Sequence, residues 1–76
     1  MSKRKYLKEG IVKDLIKFLS LDLHVSYDIA MSMVYKSETF SKVMDDDTGL
    51  YLVGSPYVYD ILTTEINFGR IVQTEI

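Results

Sequence analysis

The stretch that decides the fold is DDDTGLYLVGSPYVYD, residues 45–60. Its three acids run into a threonine and a glycine, which predicts a turn, because Asp can bond nearby amides and glycine accepts positive φ. Residues 50–53 are apolar and lie between two glycines, which indicates a short extended segment. Ser55 and Pro56 then predict a helix start, with serine as the N-cap and proline at the first helical position.

A cation site is an alternative to a turn for the three acids at residues 45–47. A calcium-binding EF-hand loop needs Asp at position 1, acids at 3 and 5, glycine at 6 and glutamate at 12. Counted from Asp45, the glycine falls at position 5 and Pro56 at position 12; counted from Met44, the first ligand is missing. The template fails, and we expect a solvated turn and no cofactor, with a weak site at Asp45 and Asp47 as the alternative.

Apolar periodicity predicts the first helix upstream of this stretch. Between Leu7 and Leu19 the apolar side chains fill about half the circumference of a helix. Gly10 lies inside this helix at a cost of about 1 kcal/mol relative to alanine, so it marks either close packing or a later helix start.

Two serines predict the starts of the second and third helices. Ser26 and Ser37 are both suited to cap free backbone amides. The third helix is expected to stop near Asp45, because acids oppose the negative end of a helix dipole. The last helix is predicted from Pro56 to about residue 68, where Gly69 ends it.

The second helix has an unusually wide apolar face. Only Asp28, Ser32 and Lys36 form its polar strip. A face this wide is typical of a central helix or of one shared with a partner, and it favours a homodimer over a monomer.

The fold class predicted from these patterns is all-α. We expect one domain over residues 1–76, a small bundle of about four helices with a short extended segment or a minimal two-stranded ribbon. Residues 1–5 form a basic arm and residues 70–76 a tail with alternating side chains. The tail either pairs with residues 50–53 or adds as a strand to another chain.

Composition narrows the functional classes. The chain has no cysteine, which excludes disulfides and thiolate chemistry and agrees with the cytoplasmic location that we expect. Charged residues interrupt the apolar run near the N-terminus, so the sequence predicts neither a signal peptide nor a membrane span. The sole histidine, His24, has no neighbouring serine and acid that indicate a triad, and an enzyme is the class with least support.

Charge is distributed unevenly along the chain. Residues 1–17 carry six Lys or Arg against two acids, whereas residues 18–76 carry three against nine. An acidic body with a basic first segment argues against broad nucleic-acid binding. A DNA-associated transcriptional regulator that uses the basic arm is the alternative function, with phosphate contacts left to Lys3, Arg4 and Lys5.

Five side chains are candidates for protein interaction. Tyr35, Tyr51, Tyr57 and Tyr59 are predicted to gather around residues 50–53, and tyrosines beside an apolar segment suit either a core edge or an interface. Glu65 falls on the apolar arc of the fourth helix, where an unpaired carboxylate is costly. It is therefore expected either to bond a lysine, a tyrosine hydroxyl or a helix N-terminus, or to reach a partner chain.

The order of turn and packing residues resembles a family of short, all-helical bacterial proteins of unknown function. The resemblance covers about residues 7–66 and is carried by Val25-Ser26, Ala30, Ser37, Phe40, Val43, Asp45, Thr48-Gly49-Leu50-Tyr51, Ser55, Tyr57-Val58-Tyr59, Leu62 and Glu65. The small reading frames of this family tend to lie beside genes for toxin-like enzymes, including ADP-ribosyltransferase-like ones. The resemblance implies an antitoxin-type or accessory binding role and no catalytic residues. We expect a small protein-interaction module with a protein partner or a homo-oligomer.

Overall fold

The computed structural model describes residues 3–69, with side chains from residue 5 onward. These residues form four α-helices and no β-strand, which confirms the all-α prediction. The helices are α1 (Lys3–Leu23), α2 (Tyr27–Tyr35), α3 (Glu38–Met44) and α4 (Ser55–Phe68), and short 3₁₀ turns at Asp46–Thr48 and Leu50–Leu52 connect α3 to α4. None of these four helices combines the length and the apolarity needed to cross a bilayer.

The core is organised around α1. One face of this helix contributes half of the buried apolar cluster, and α2, α3 and α4 supply the remainder. The cluster comprises Ile11, Val12, Leu15, Ile16, Leu19, Ala30, Val34, Val43, Val58 and Leu62. Full burial of a side chain such as Leu15 is worth about 1.5–3 kcal/mol. The predicted amphipathic first helix is therefore confirmed, and it is the element on which the other helices pack.

Gly10 lies well inside α1, which begins at Lys3. The expectation of a later helix start is therefore wrong. A Cβ added to Gly10 would meet nothing within 4 Å, so this glycine is not required by close packing within the described residues either.

A tight connection joins α1 to α2. His24 adopts a left-handed conformation with φ of 56°, and it is exposed. Ser20 holds the connection, because its hydroxyl donates to the carbonyl of Val25 at 2.8 Å. Ser26 then accepts a hydrogen bond from the amide of Ile29 at 3.2 Å, which confirms it as the N-cap of α2. His24 thus serves the turn between the two helices.

The third helix is bounded by the residues predicted for it. Ser37 accepts from the amide of Phe40 at 3.0 Å and donates its own hydroxyl to the carbonyl of Val34 at 2.6 Å. Asp45 is the C-cap, and Gly49, with φ of 66°, lets the chain turn after the acids. These helix limits and the turn are confirmed.

Residues 50–53 are not extended, and that prediction is wrong. Leu50–Leu52 form a 3₁₀ turn in which the amide of Leu52 donates to the carbonyl of Gly49 at 2.9 Å. The amide of Val53 likewise donates to the carbonyl of Leu50 at 3.2 Å. Because these amides are bonded to carbonyls within the turn, the segment is not one strand of a two-stranded ribbon. The tail at residues 70–76, its predicted partner, lies outside the described residues.

The start of α4 also differs by one residue from the prediction. Gly54, with φ of 93°, is the N-cap, and its carbonyl accepts the first intrahelical bond from the amide of Val58. Ser55 is already helical, and its hydroxyl donates to the carboxylate of Asp14 at 2.6 Å. The serine therefore joins α4 to α1 instead of capping α4. Gly69 ends the helix as predicted, with φ of 77°.

Candidate functional site

Glu65 bonds the N-terminal end of α3. One carboxylate oxygen accepts from the amide of Glu38 at 2.7 Å, and the other accepts from the amide and the hydroxyl of Thr39 at 3.0 and 2.7 Å. Thr39 is fully buried, so its hydroxyl needs such a partner. Among the alternatives from the sequence, the helix N-terminus is the one observed. The carboxylate of Glu65 is therefore bonded within the chain.

A lysine from α1 stabilises the opposite end of α3. The ammonium group of Lys8 donates to the carbonyl of Met44 at 3.0 Å and forms an ion pair with Asp46. It also lies 5.2 Å from the ring centroid of Tyr51, and only 13% of its side chain is exposed. A negatively charged group therefore holds the positive end of the α3 dipole, and a positively charged group holds the negative end.

The three acids after α3 thus have a cation within the chain. Asp45 accepts from the amide of Asp47 at 2.9 Å, as expected for an Asx turn, and Asp46 pairs with Lys8. Among residues 3–69, no group of three or more His, Asp or Glu side chains is arranged to hold a metal ion. The predicted turn is confirmed, and its three acids are exposed.

The four candidate tyrosines do not gather in one place. Tyr51 lies under Lys8 and is the central residue of the 3₁₀ turn at Leu50–Leu52. Tyr57 is 57% exposed on the first turns of α4. Tyr59 faces α1, where its hydroxyl donates to Asp22 at 2.5 Å and its ring meets Phe18 edge to face with centroids 5.3 Å apart.

Tyr59 is held in its neutral form by this environment. Burial of the phenol, the hydrogen bond to Asp22 and the negative charge of Asp22 together raise the pKa of Tyr59 well above its ordinary value. A neutral phenol that donates to a carboxylate is a structural tie between α4 and α1. Tyr59 therefore has a role inside the bundle.

Tyr35 lines a concave surface formed by three helices. A groove of about 420 Å³ runs between α1, α2 and α3, which we call the α1–α3 groove. Its apolar surface comes from Val12, Ile16, Met31, Phe40 and Met44, with the tyrosines Tyr27 and Tyr35 beside them and Glu9 and Lys13 as its charged members.

The geometry of α2 and α3 explains why these side chains meet. Tyr27, Met31 and Tyr35 are spaced four residues apart on α2, so they form one line along the helix. Phe40 extends the line onto α3, because its ring meets that of Tyr35 edge to face with centroids 4.9 Å apart. The result is a continuous aromatic and methionine surface across two helices.

Sequence reasoning missed most of this surface. None of Tyr27, Met31, Phe40 and Met44 was among the candidate interaction residues, yet Tyr27 is 49% exposed and the other three are partly buried. The wide apolar face of α2 was the signal that could have identified the groove.

Comparisons with known proteins assign the chain to no family. No protein-family model, no curated protein and no solved structure matches it. The family resemblance therefore remains an expectation.

Proposed function

We propose that this chain is a small protein-interaction module and that the α1–α3 groove is its binding surface. The observation that carries the proposal is the exposure of two tyrosines beside the apolar lining of the groove. Tyr27 and Tyr35 are 49% and 51% exposed, and they flank Met31 along the same line of α2. Tyrosine and methionine are enriched at protein interfaces, whereas a folded chain gains little from leaving them in water.

The side chains of the groove suit an apolar segment of a partner protein. Methionine is flexible and polarizable, so Met31 and Met44 can adapt to different apolar side chains. The two tyrosines can bury their rings while their hydroxyls bond to water or to a partner. Tyr27 and Tyr35 are eight residues apart, which is about 12 Å along a helix. This length matches two turns of an amphipathic helix laid in a groove.

The proposal includes an antitoxin-type or accessory role toward the product of a neighbouring gene. Its support is the family resemblance, which implies toxin-like enzymes as neighbours. We assign that role to the groove, because an inhibitor of this type acts by binding a protein surface.

Co-expression with the product of the adjacent gene tests the proposal. We expect the tagged chain to retain that protein, and Tyr35→Ala to weaken the complex by about tenfold or more, as is typical for a central interface tyrosine. Tyr57→Ala is the matched control, because Tyr57 has a similar exposure but does not line the groove. Equal losses for the two variants, or no complex with any neighbouring product, would contradict the proposal.

The DNA-associated alternative has less support. Lys8, one of the basic residues of the first segment, is committed to Met44 and Asp46 inside the bundle. Phosphate neutralisation by the remaining arm predicts a gel shift that weakens steeply with salt and disappears when residues 1–5 are removed.

A further inference from the structure

The exposed side of α1 carries a second surface, distinct in its chemistry from the groove. Tyr6, Gly10, Lys13 and Lys17 follow one another at intervals of three or four residues, and all four are exposed. We call this line the α1 ridge. On the side of the ridge that faces the 3₁₀ turn at Leu50–Leu52 lies a hollow whose lining includes Tyr6, Gly10 and Leu52.

Gly10 at the centre of the ridge has no explanation among the described residues. A side chain there would meet nothing within 4 Å, so no neighbouring group requires its absence. Its helical backbone does not need the left-handed freedom of glycine either, unlike that of Gly49, Gly54 and Gly69. A glycine on an exposed helix face allows another backbone to approach closely, which is the remaining physical use of the residue.

The charges beside Gly10 identify what could approach it. Glu9 and Lys13 are opposite in sign and one helical turn apart, and neither takes part in an ion pair or a side-chain hydrogen bond within the described residues. Such a pair is complementary in charge to the same pair on a second α1 helix that runs antiparallel to the first. In a twofold interface, residue i of one copy meets residue j of the other and the reverse contact follows by symmetry.

We propose that a second copy of this chain docks on the α1 ridge, with the two α1 helices antiparallel and crossing at Gly10. A twofold axis level with Ile11 places Glu9 opposite Lys13 of the second copy, since each is two residues, or about 3 Å, from the axis. Lys13 meets Glu9 of the second copy in the same way.

The rest of the ridge fits the same arrangement. Tyr6 comes five residues before the axis and Lys17 six residues after it, so their heights agree within about 1.5 Å. The ring of Tyr6 in each copy can therefore contact the ammonium group and the aliphatic stem of Lys17 in the other copy. Tyr6 and Leu52 are 68% and 67% exposed, and the crossing covers apolar surface that the lone chain leaves in water.

Sedimentation over about 10 µM to 1 mM tests the association, because a single helix crossing is a small interface with a weak dissociation constant. We expect a reversible monomer–dimer equilibrium for the full chain. A monomer at every concentration would overturn the proposal.

Substitution of Gly10 separates association from folding. In Gly10→Ala the added methyl group meets open space within the chain, so we expect a higher midpoint of thermal unfolding for the monomer. The same methyl group keeps the two helices apart, so we expect a dissociation constant raised by about tenfold. Ser32→Ala on the exposed side of α2 is the matched control and should leave association unchanged. Unchanged association of Gly10→Ala would overturn the crossing.

Charge exchange tests the symmetry directly. Glu9→Lys and Lys13→Glu each place like charges opposite one another, and each should weaken self-association by at least about fivefold. An equimolar mixture of the two variants restores opposite charges at both contacts, and it should form a mixed dimer of about normal affinity. A mixture that associates no better than the separate variants would overturn the proposal.

This inference goes beyond the proposed function and is independent of it. Glu9 and Lys13 also line the α1–α3 groove, whereas Tyr35 lies on α2 and makes none of the contacts proposed for the crossing. Tyr35→Ala is therefore expected to weaken partner binding and to leave self-association unchanged. Loss of partner binding in the ridge variants, without any self-association of the normal chain, would assign the ridge to a different protein and overturn the dimer.

Discussion

The helices α2 and α3 follow one another in the chain but are stabilised in different ways. Distant side chains of opposite charge hold both ends of α3, Glu65 at its start and Lys8 at its end. By contrast, α2 is capped by the adjacent Ser26 and leaves Tyr27 and Tyr35 half exposed. Polar groups from other helices secure the shorter helix, whereas α2 leaves part of its apolar face exposed. Substitutions in the two helices should therefore have separable effects.

The largest effect on stability is expected from Glu65→Ala. The change leaves two amides and the buried hydroxyl of Thr39 without their carboxylate, which costs about 2–3 kcal/mol in the free energy of unfolding. Urea denaturation measures this loss. Asn67→Ala, at an exposed position of the same helix, is the control and should change the free energy by less than about 0.5 kcal/mol. Similar values for both variants would show that the carboxylate does not hold α3.

Lys8→Met should have the next largest effect, about 1–2 kcal/mol, because the methionine keeps the apolar stem but cannot bond Met44 or Asp46. The share of this stability loss that comes from the ion pair with Asp46 should decrease with added salt. The share that comes from the hydrogen bond to the Met44 carbonyl should depend less on salt. Lys36→Met, at the exposed end of α2, serves as the control. A loss that is equal for both lysines would contradict the assignment of Lys8 to the end of α3.

Tyr59→Phe removes the hydrogen bond between α4 and α1, which involves neither α2 nor α3. We expect the free energy of unfolding to fall by about 0.5–1.5 kcal/mol at neutral pH. The pKa of Tyr59 is raised in the folded chain, so the unfolded chain ionises first as pH rises. The stabilisation by this phenol is therefore complete below about pH 10 and decreases above it. Unfolding free energies measured from pH 8 to 11 should fall less steeply in the variant. Parallel pH profiles would exclude the neutral-phenol contact.

The smallest effect on stability is expected from Tyr27→Ala. Half of this side chain is already in water, so the free energy of unfolding should fall by less than about 1 kcal/mol. Partner binding, measured by co-purification, should nevertheless weaken as it does for Tyr35→Ala. A Tyr27 variant that unfolds as readily as Glu65→Ala would remove the contrast between the two helices.

Local signals in the sequence were sufficient for most helix limits. Ser26 and Ser37 cap helices because their hydroxyls reach amides three residues away, and Gly69 ends α4 by adopting positive φ. Residues 50–53 were mispredicted because a short apolar run between glycines does not distinguish an extended segment from a 3₁₀ turn. Only the hydrogen bonds of the folded chain decide between them.

Contacts between distant residues were much less predictable. The sequence limited Glu65 to a few kinds of partner, but the residues that it bonds are 26 and 27 positions away. The role of Lys8 gave no sequence signal at all, since Met44 and Asp46 are 36 and 38 positions away. The groove was indicated only by the wide apolar face of α2, because its other wall depends on how α1 and α3 pack.

The bond between Glu65 and α3 also bears on the order in which the chain folds. A helix of seven residues is too short to be stable in isolation, since isolated helices shorter than about 12–15 residues are marginal in water. Its capping carboxylate comes from the last turn of α4, so α3 completes its structure only after α4 has formed and docked. We expect α3 to be the last helix to gain protection from hydrogen exchange during refolding, and any fragment that stops before Glu65 to lack it.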